Sequence, residues 1–501
     1  MTQTSENSKR IAKNTLMLYF RTFVTIIVAL YTSRIVLETL GDIDFGIYNI
    51  VGGVVILFSF IQGAMTAATQ RFLNFEMGCG TPASVNRIFS MSLTAHIIIS
   101  LFVLFLGETI GLWFINNKLN IPADREIALN WVYQFSLLTT CVSIIRVPYH
   151  ATIVAHENMD FYAYISIVES VLRLLIVYML VVFAADKLIM YAILTFAVSL
   201  ITTICYALYS RYHFKSSRYK FFWDGALFNK LISFSGWSLL GGAANAGSSQ
   251  GVNIIINIFF GVTVNAAVGV ATQVQAAVAS FMSNFQTAFN PQLVKSYAQG
   301  DHNYFVSLIN QTAKLSFFLI AMPAIPLIVC AEPILTLWLV DVPDYAVRFT
   351  QFTVLFILLE SLSTPLWTSV QAIGKIKEYQ IMMSIIIAMN IPITYLLFWL
   401  GCEPTVAIGV RVCISLISCF ARLLYLSKMI VFPLGAFIKR VLLRSLSLAA
   451  LLIIVAYYIN MHTNLFVAVP LIVLANAVLI YILGLTKGER RFVLKFAQKK
   501  G

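Results

Sequence analysis

Apolar residues along this chain gather into blocks of about twenty, separated by short polar connections, and the blocks recur from end to end. A block of that length crosses a hydrocarbon layer of roughly 30 Å as a helix rising 1.5 Å per residue. The pattern predicts spans at 14–37, 46–69, 87–112, 129–153, 161–184, 188–209, 229–258, 264–289, 305–330, 349–372, 379–400, 406–427, 438–459 and 464–485. Ten-residue alternating segments of the kind a transmembrane barrel requires are absent. Helices also satisfy their backbone groups within the segment, as lipid demands. The expected fold class is an all-α integral membrane protein of about fourteen transmembrane helices.

The composition fits that picture: 59% of residues are hydrophobic and 11% charged, against roughly 25% charged in soluble domains. The net charge of +13 would suit nucleic acid, but its distribution suits a membrane. Of the 34 Lys and Arg, 25 fall on one side of the predicted topology and only Lys118, Arg125, Lys187 and Arg348 on the other. By the positive-inside rule both termini are expected in the cytoplasm, with an even number of spans and no nucleic-acid partner. The first span reads as an uncleaved signal-anchor. The seven cysteines show no CxxC or other ligand spacing and read as small packing residues, so neither a metal nor a cofactor is expected.

The longest polar connection, basic at Arg211, Lys215, Arg218 and Lys220, separates six spans from six. Sliding the chain by 220 residues superposes helices, loops and orientation, and places Gly41 on Gly261 and Gly80 on Gly300. Six is even, so the repeat is parallel, an arrangement common in transporters. The expected organisation is a six-helix bundle over 1–210, a cytoplasmic linker over 211–228, a second bundle over 229–430, and two extra helices with a basic tail over 431–501. Several spans are interrupted. The stretch from Gly241 to Gly251 is small and polar, and Pro323, Pro326, Pro365 and Pro392 lie inside helices. Close helix packing, passive kinks and hinges between states are all compatible with these.

Ionisable residues at membrane depth are costly and face water, substrate or one another. The candidates are Arg21 and Arg34 in the first span, Arg173 in the fifth, Lys314 in the ninth and Arg411 in the twelfth, with Glu108, Glu169 and Glu360 as acidic counterparts. Arg173 and Glu360 fall near span centres, and Glu169 lies four residues before Arg173, on the same helix face. Lys314 and Arg411 lie close enough to span ends to snorkel. Arg21 and Arg34 point about 220° apart around a straight helix. Arg21, with Thr25 and Thr32 near its face, is the better site candidate, and Arg34 can pair with Glu38. At the 220 displacement Arg21 meets Gly241, so the first half is cationic where the second is neutral, which favours a phosphate-bearing substrate in the first half.

Other motifs fail on context. Asp42-Ile43-Asp44 is a D-x-D in a tiny loop with no nucleotide-binding domain, and His150 and His156 fall in a predicted loop without ligand partners. No P-loop or H-E-x-x-H motif is present. Trp113, Trp131, Trp338, Trp399 and Trp223 fall at span ends as an aromatic belt. Trp237 and Trp367 lie deeper.

The segment from Arg34-Ile35-Val36-Leu37-Glu38-Thr39-Leu40-Gly41-Asp42 through Phe45-Gly46-Ile47-Tyr48-Asn49, Val51-Gly52-Gly53 and Ala68-Thr69-Gln70-Arg71-Phe72-Leu73 resembles the opening of polysaccharide flippases. These are Wzx-type members of the multidrug/oligosaccharidyl-lipid/polysaccharide exporter superfamily. The resemblance implies a transporter, not an enzyme. Its implied substrate is an undecaprenyl-diphosphate-linked oligosaccharide, flipped by alternating access with a cationic cavity in the N-terminal half. Its implied partners are that lipid-linked substrate, membrane lipids, and polysaccharide polymerase and assembly proteins. Arg21 falls where that cationic cavity is implied; from their depth in the spans, and not from the resemblance, Arg34, Arg173 and Lys314 are also expected to bind substrate, with Glu169 and Glu360 as charge-pair or coupling residues. A MATE-like organic-cation antiporter is the alternative, and it should centre on carboxylates. A polymerase or ligase would need a large outer loop, which the sequence lacks.

Overall fold

The computed structural model describes residues 2–56, 59–118, 123–182, 186–339, 342–486 and 488–490. Within these, the side chains of 2–9, 30, 33, 34, 37, 38, 42, 43, 45, 46, 49, 50, 52–56, 59–61, 116, 118, 181, 182 and 262 lie outside the description. Arg34, Glu38 and the first acid of the D-x-D are thereby set aside, as is most of the basic tail.

The described residues form helices and no strand. In chain order they are α1 (Thr2–Ile56), α2 (Ser59–Cys79), α3 (Pro82–Leu106), α4 (Leu112–Lys118), α5 (Glu126–Ala155), α6 (Met159–Val182), α7 (Lys187–His213), α8 (Gly225–Ala298) and α9 (His302–Val329). There follow α10 (Ala331–Trp338), α11 (Ala346–Ile373), α12 (Lys377–Ala388), α13 (Asn390–Trp399), α14 (Val406–Met429), α15 (Leu434–Phe437), α16 (Arg444–His462) and α17 (Leu465–Leu479).

Among the described residues twelve helical segments are long and apolar enough to cross a membrane. Each coincides with one of the fourteen expected spans. The two expected spans without such a counterpart are 46–69, which overlaps the residues set aside, and 229–258. The latter lies in α8 and is helical, but its run of Gly, Asn, Ser and Gln lowers its hydropathy. Large apolar side chains such as Phe102, Phe105, Leu175, Ile201, Ile454 and Leu474 are exposed on these helices, the reverse of a soluble surface.

Two helices are each broken once, at matching places. Gly41 in α1 has φ 76°, ψ 171°, and Gly261 in α8 has φ 78°, ψ −172°. Only glycine adopts this region without strain, so the break is written into the sequence at both sites. The helices downstream keep the same 220-residue displacement. Pro82–Leu106 and His302–Val329 start in step, as do Glu126–Ala155 and Ala346–Ile373. Their N-caps match as well: Thr81 accepts from the Ser84 N–H and Asp301 from the Tyr304 N–H, each satisfying an orphan donor of the first turn. Gly300 takes a positive φ of 74° and Gly80 does not.

The chain divides into two compact units, Arg10–Leu239 and Leu240–Gly501 together with Met1–Lys9. The boundary between these units lies inside α8. The first turns of α8 belong with the N-terminal unit because they are buried there: Phe234 meets the Phe72 ring edge-on at 5.8 Å, and Leu227 packs on the α2–α3–α5 core. In this unit α5 is the central helix, packed on α2, α3 and α7. In the C-terminal unit α11 holds that place, between α9 and α14, and α16 and α17 lie on α9.

The interrupted spans divide into packing sites and breaks. A Cβ on Gly251 would stand 2.7 Å from Ile391, and one on Gly241 would overlap the Gln380 amide, so both glycines permit close helix contact. Gly247 has nothing within 4 Å. Pro323 and Pro326 stay inside a continuous α9, and Pro365 inside α11. Pro392 follows a real interruption, since its ring opposes the carbonyl four residues earlier and the chain turns at Met389 between α12 and α13.

Candidate functional site

Polar stripes at helical spacing converge on a cavity of about 410 Å³ in the N-terminal unit. From α6 come Tyr162, Ser166, Glu169, Ser170 and Arg173, and from α5 Ser143, Arg146 and His150. From α1 come Arg21 and Thr25, from α2 Gln62 and Thr66, and from α7 Tyr206. Steps of three and four residues keep each set on one helix face. Pro148 falls between Arg146 and His150, where the missing N–H leaves the carbonyl one turn earlier without its helical partner.

Among the described residues three guanidinium groups share this cavity with a single carboxylate. Glu169 accepts from Arg173 at 2.8 Å through Oε1 and from Arg146 at 3.3 Å through Oε2. Arg146 also donates to the Thr202 hydroxyl at 3.2 Å and lies 5.7 Å from the Tyr206 ring centre. Arg21 has no carboxylate partner among the described residues. Its guanidinium sits 4.8 Å over the Tyr162 ring, and its buried Nε has no hydrogen-bond partner among the described residues. His150 is edge-on to Tyr162 at 4.9 Å and to Tyr206 at 6.0 Å. The cavity therefore carries two positive charges in excess beside an aromatic wall, and can hold an anion with two ionised groups.

A second, smaller cavity of about 210 Å³ lies in the C-terminal unit, lined by α8, α11, α12, α13 and α14. Here Glu360 accepts from Arg422 at 2.6 Å and from the Ser415 hydroxyl at 2.8 Å. Arg422 donates further to the Tyr379 hydroxyl at 3.0 Å and to the Ser363 hydroxyl. Arg411 lies 4.2 Å over the Phe356 ring and donates to the Gln275 side-chain oxygen Oε1 at 3.3 Å.

Of the residues singled out in the sequence, Arg21, Glu169 and Arg173 come together in one cavity and Glu360 stands in the other. Arg34 lies outside the described side chains. Lys314 stands apart from the other candidates. It lines neither cavity, and its buried ammonium reaches both oxygens of Glu489 at 2.7 Å, tying α9 to the segment beyond α17. A buried ammonium needs a counter-ion, and this one arrives 175 residues later. Burial works to raise the Glu489 carboxyl. Hydrogen bonds from Lys314 and the Thr486 backbone outweigh it and hold the group below its ordinary value.

Glu108 lies at neither cavity and accepts from Gln134 at 3.1 Å. His150 belongs to α5 rather than a loop, and His156 caps that helix, stacked 3.9 Å from Phe214. Arg146 and Arg422, counted in the sequence among the charges of one membrane face, are interior groups of α5 and α14. Helical spacing held the missing signal: His150 follows Arg146 by four residues, and Arg411 and Arg422, eleven residues apart, lie about 20° apart around α14.

No family profile and no curated protein sequence matches the chain. Solved structures do. A MATE transporter of Vibrio cholerae, solved as a point mutant, superposes with TM-score 0.71 at 16% identity, covering 86% of this chain and 98% of that one. A MOP superfamily transporter from Pyrococcus furiosus, described as having a binding pocket of reverse polarity that suggests a different function, gives TM-score 0.71 at 12% identity, over 86% and 96%. A multidrug resistance MATE transporter in an outward-facing conformation gives 0.71 at 12%, over 86% and 96%. The chain thus has the fold of the MATE transporters of the MOP superfamily, an all-helical, multi-span membrane protein architecture.

Proposed function

We propose that this protein flips a polyprenyl-diphosphate-linked oligosaccharide, of the undecaprenyl type, across a bacterial inner membrane by alternating access, with both termini in the cytoplasm. The observation that carries this reading is the charge of the N-terminal cavity, three arginines against one glutamate. A diphosphate diester carries two ionised oxygens at neutral pH, and guanidinium is the group suited to meet them in a fixed geometry. The saccharide would lie against the hydroxyls and aromatic rings, and the hydrocarbon tail would stay in lipid.

A second reading is a MATE-like antiporter that exports organic cations; one of the neighbouring folds is a multidrug resistance transporter. That chemistry needs a carboxylate free to receive the cation, whereas Glu169 and Glu360 are each already held by arginine. The P. furiosus neighbour supports the idea that pocket polarity varies on this fold. Proteoliposomes loaded with the purified protein separate the two readings. Polyprenyl-diphosphate-linked saccharide should cross between leaflets, and a large excess of a lipophilic organic cation should leave the rate unchanged. Transport of the cation without movement of the lipid-linked saccharide would overturn the proposal.

A further inference from the structure

The C-terminal cavity has features that a purely structural ion pair does not require. Glu360 is spent on Arg422 and Ser415, so its charge is cancelled where it stands. Arg411, on the same face of α14, has no carboxylate partner among the described residues, and its planar group is held flat by Phe356 on one side. Gln275 takes one of its five donors. The cavity thus carries one positive charge in excess, and its walls are rich in small hydrogen-bonding groups. Ser248, Ser249 and Ser418 offer hydroxyls, and the Asn390 amide is held in place by its donation to Ser248 at 3.2 Å.

We propose that this cavity is a second, separate anion site that takes the carboxylate of an acidic sugar, with Arg411 as its principal contact. A carboxylate matches a guanidinium edge with two parallel hydrogen bonds. One excess charge fits a monoanion rather than a diphosphate. At about 210 Å³ the space is smaller than the roughly 300–1,000 Å³ of a drug-sized pocket, which suits a single ring whose hydroxyls meet the serines and asparagines. The assignment rests on the flippase reading only in naming a saccharide as the source of the carboxylate, and it extends that reading to repeat units containing a uronic acid.

The test uses the full chain in detergent micelles and the probe glucuronate, with glucose and chloride as comparisons, read by ligand-observed NMR. Glucuronate should bind and glucose should not. Arg411→Gln should weaken glucuronate binding at least tenfold, Arg411→Lys should weaken it less, and Arg348→Gln, at an exposed ion pair outside both cavities, should leave it unchanged. Loss in Arg21→Ala with retention in Arg411→Gln would overturn the proposal by placing the anion in the other cavity. Equal binding of glucose, or no binding by the wild type, would also overturn it. Displacement of glucuronate by an equal concentration of chloride would reassign the cavity to an inorganic anion, against the sugar assignment. A melting curve of each variant without ligand separates misfolding from lost binding, and Arg411→Lys keeps the charge should Arg411→Gln fail to fold. The probe carries neither lipid nor diphosphate, so its failure leaves the flippase reading standing, and failure of lipid transport leaves this result standing.

Discussion

The two halves agree in backbone and disagree in charge. Gly41 and Gly261 break their helices with nearly the same dihedral angles, and the helices that follow start in step. Side chains at the same displacement are unrelated. Arg21, Arg146, Glu169 and Arg173 stand opposite Gly241, Leu366, Met389 and Ile393, while Glu360 and Arg411 stand opposite Thr140 and Tyr191. Thr202, a neutral partner of Arg146, matches Arg422, itself the cation of the other cavity. The repeat specifies where helices begin and break, and the chemistry is written separately into each half. A repeat found in such a sequence is therefore sound evidence for architecture and poor evidence for a site.

The largest contrast should appear on removing the two glutamates. Glu169 serves two arginines, so Glu169→Ala leaves both uncompensated and should cost toward the low end of roughly 3–5 kcal/mol, since Arg173 is about half exposed to begin with. Glu360→Ala should cost less, because Arg422 keeps Tyr379 and Ser363. Thermal unfolding of the purified variants measures both, and a larger loss for Glu360→Ala would break the account of the charge networks. Removing Arg173 along with Glu169 should not restore stability in full, because Arg146 then retains only Thr202 of its two hydrogen-bond partners.

A smaller and more symmetrical effect is expected at the two glycines. Among the described residues no atom lies within 4 Å of a Cβ placed on either one, so alanine there is expected to meet chiefly backbone strain. Gly41→Ala and Gly261→Ala should each cost about 1–3 kcal/mol, by similar amounts. Tolerance at one with collapse at the other, in the same unfolding measurement, would show that the matching breaks do different work.

The fold was legible because it is carried by signals every helix repeats: block length, Gly and Pro breaks, and a constant displacement. The site was legible only in part. Arg21, Glu169 and Arg173 stood out as charges deep in apolar spans. Arg146 and Arg422 lie nearer the ends of their apolar blocks, and hydropathy alone credits such residues to the loop. The partnership of Lys314 with Glu489 was hidden for another reason, since nothing local to either residue points across so many intervening helices. The polar stripes on α5, α6 and α14 were present in the sequence, but the cavity each one faces is decided by packing.

The central claim is that the arginines of the N-terminal cavity meet a diphosphate, and Arg21 tests it most directly because no carboxylate among the described residues holds it. The measurement is the affinity of a short-chain polyprenyl-diphosphate saccharide for the purified wild type, Arg21→Ala and Arg21→Lys. A charge-assisted hydrogen bond contributes about 1.5–3 kcal/mol, so Arg21→Ala should bind roughly ten- to a hundredfold more weakly at an unchanged melting temperature. Arg21→Lys should fall between, keeping the charge and losing the fork. Wild-type affinity in Arg21→Ala would contradict the claim.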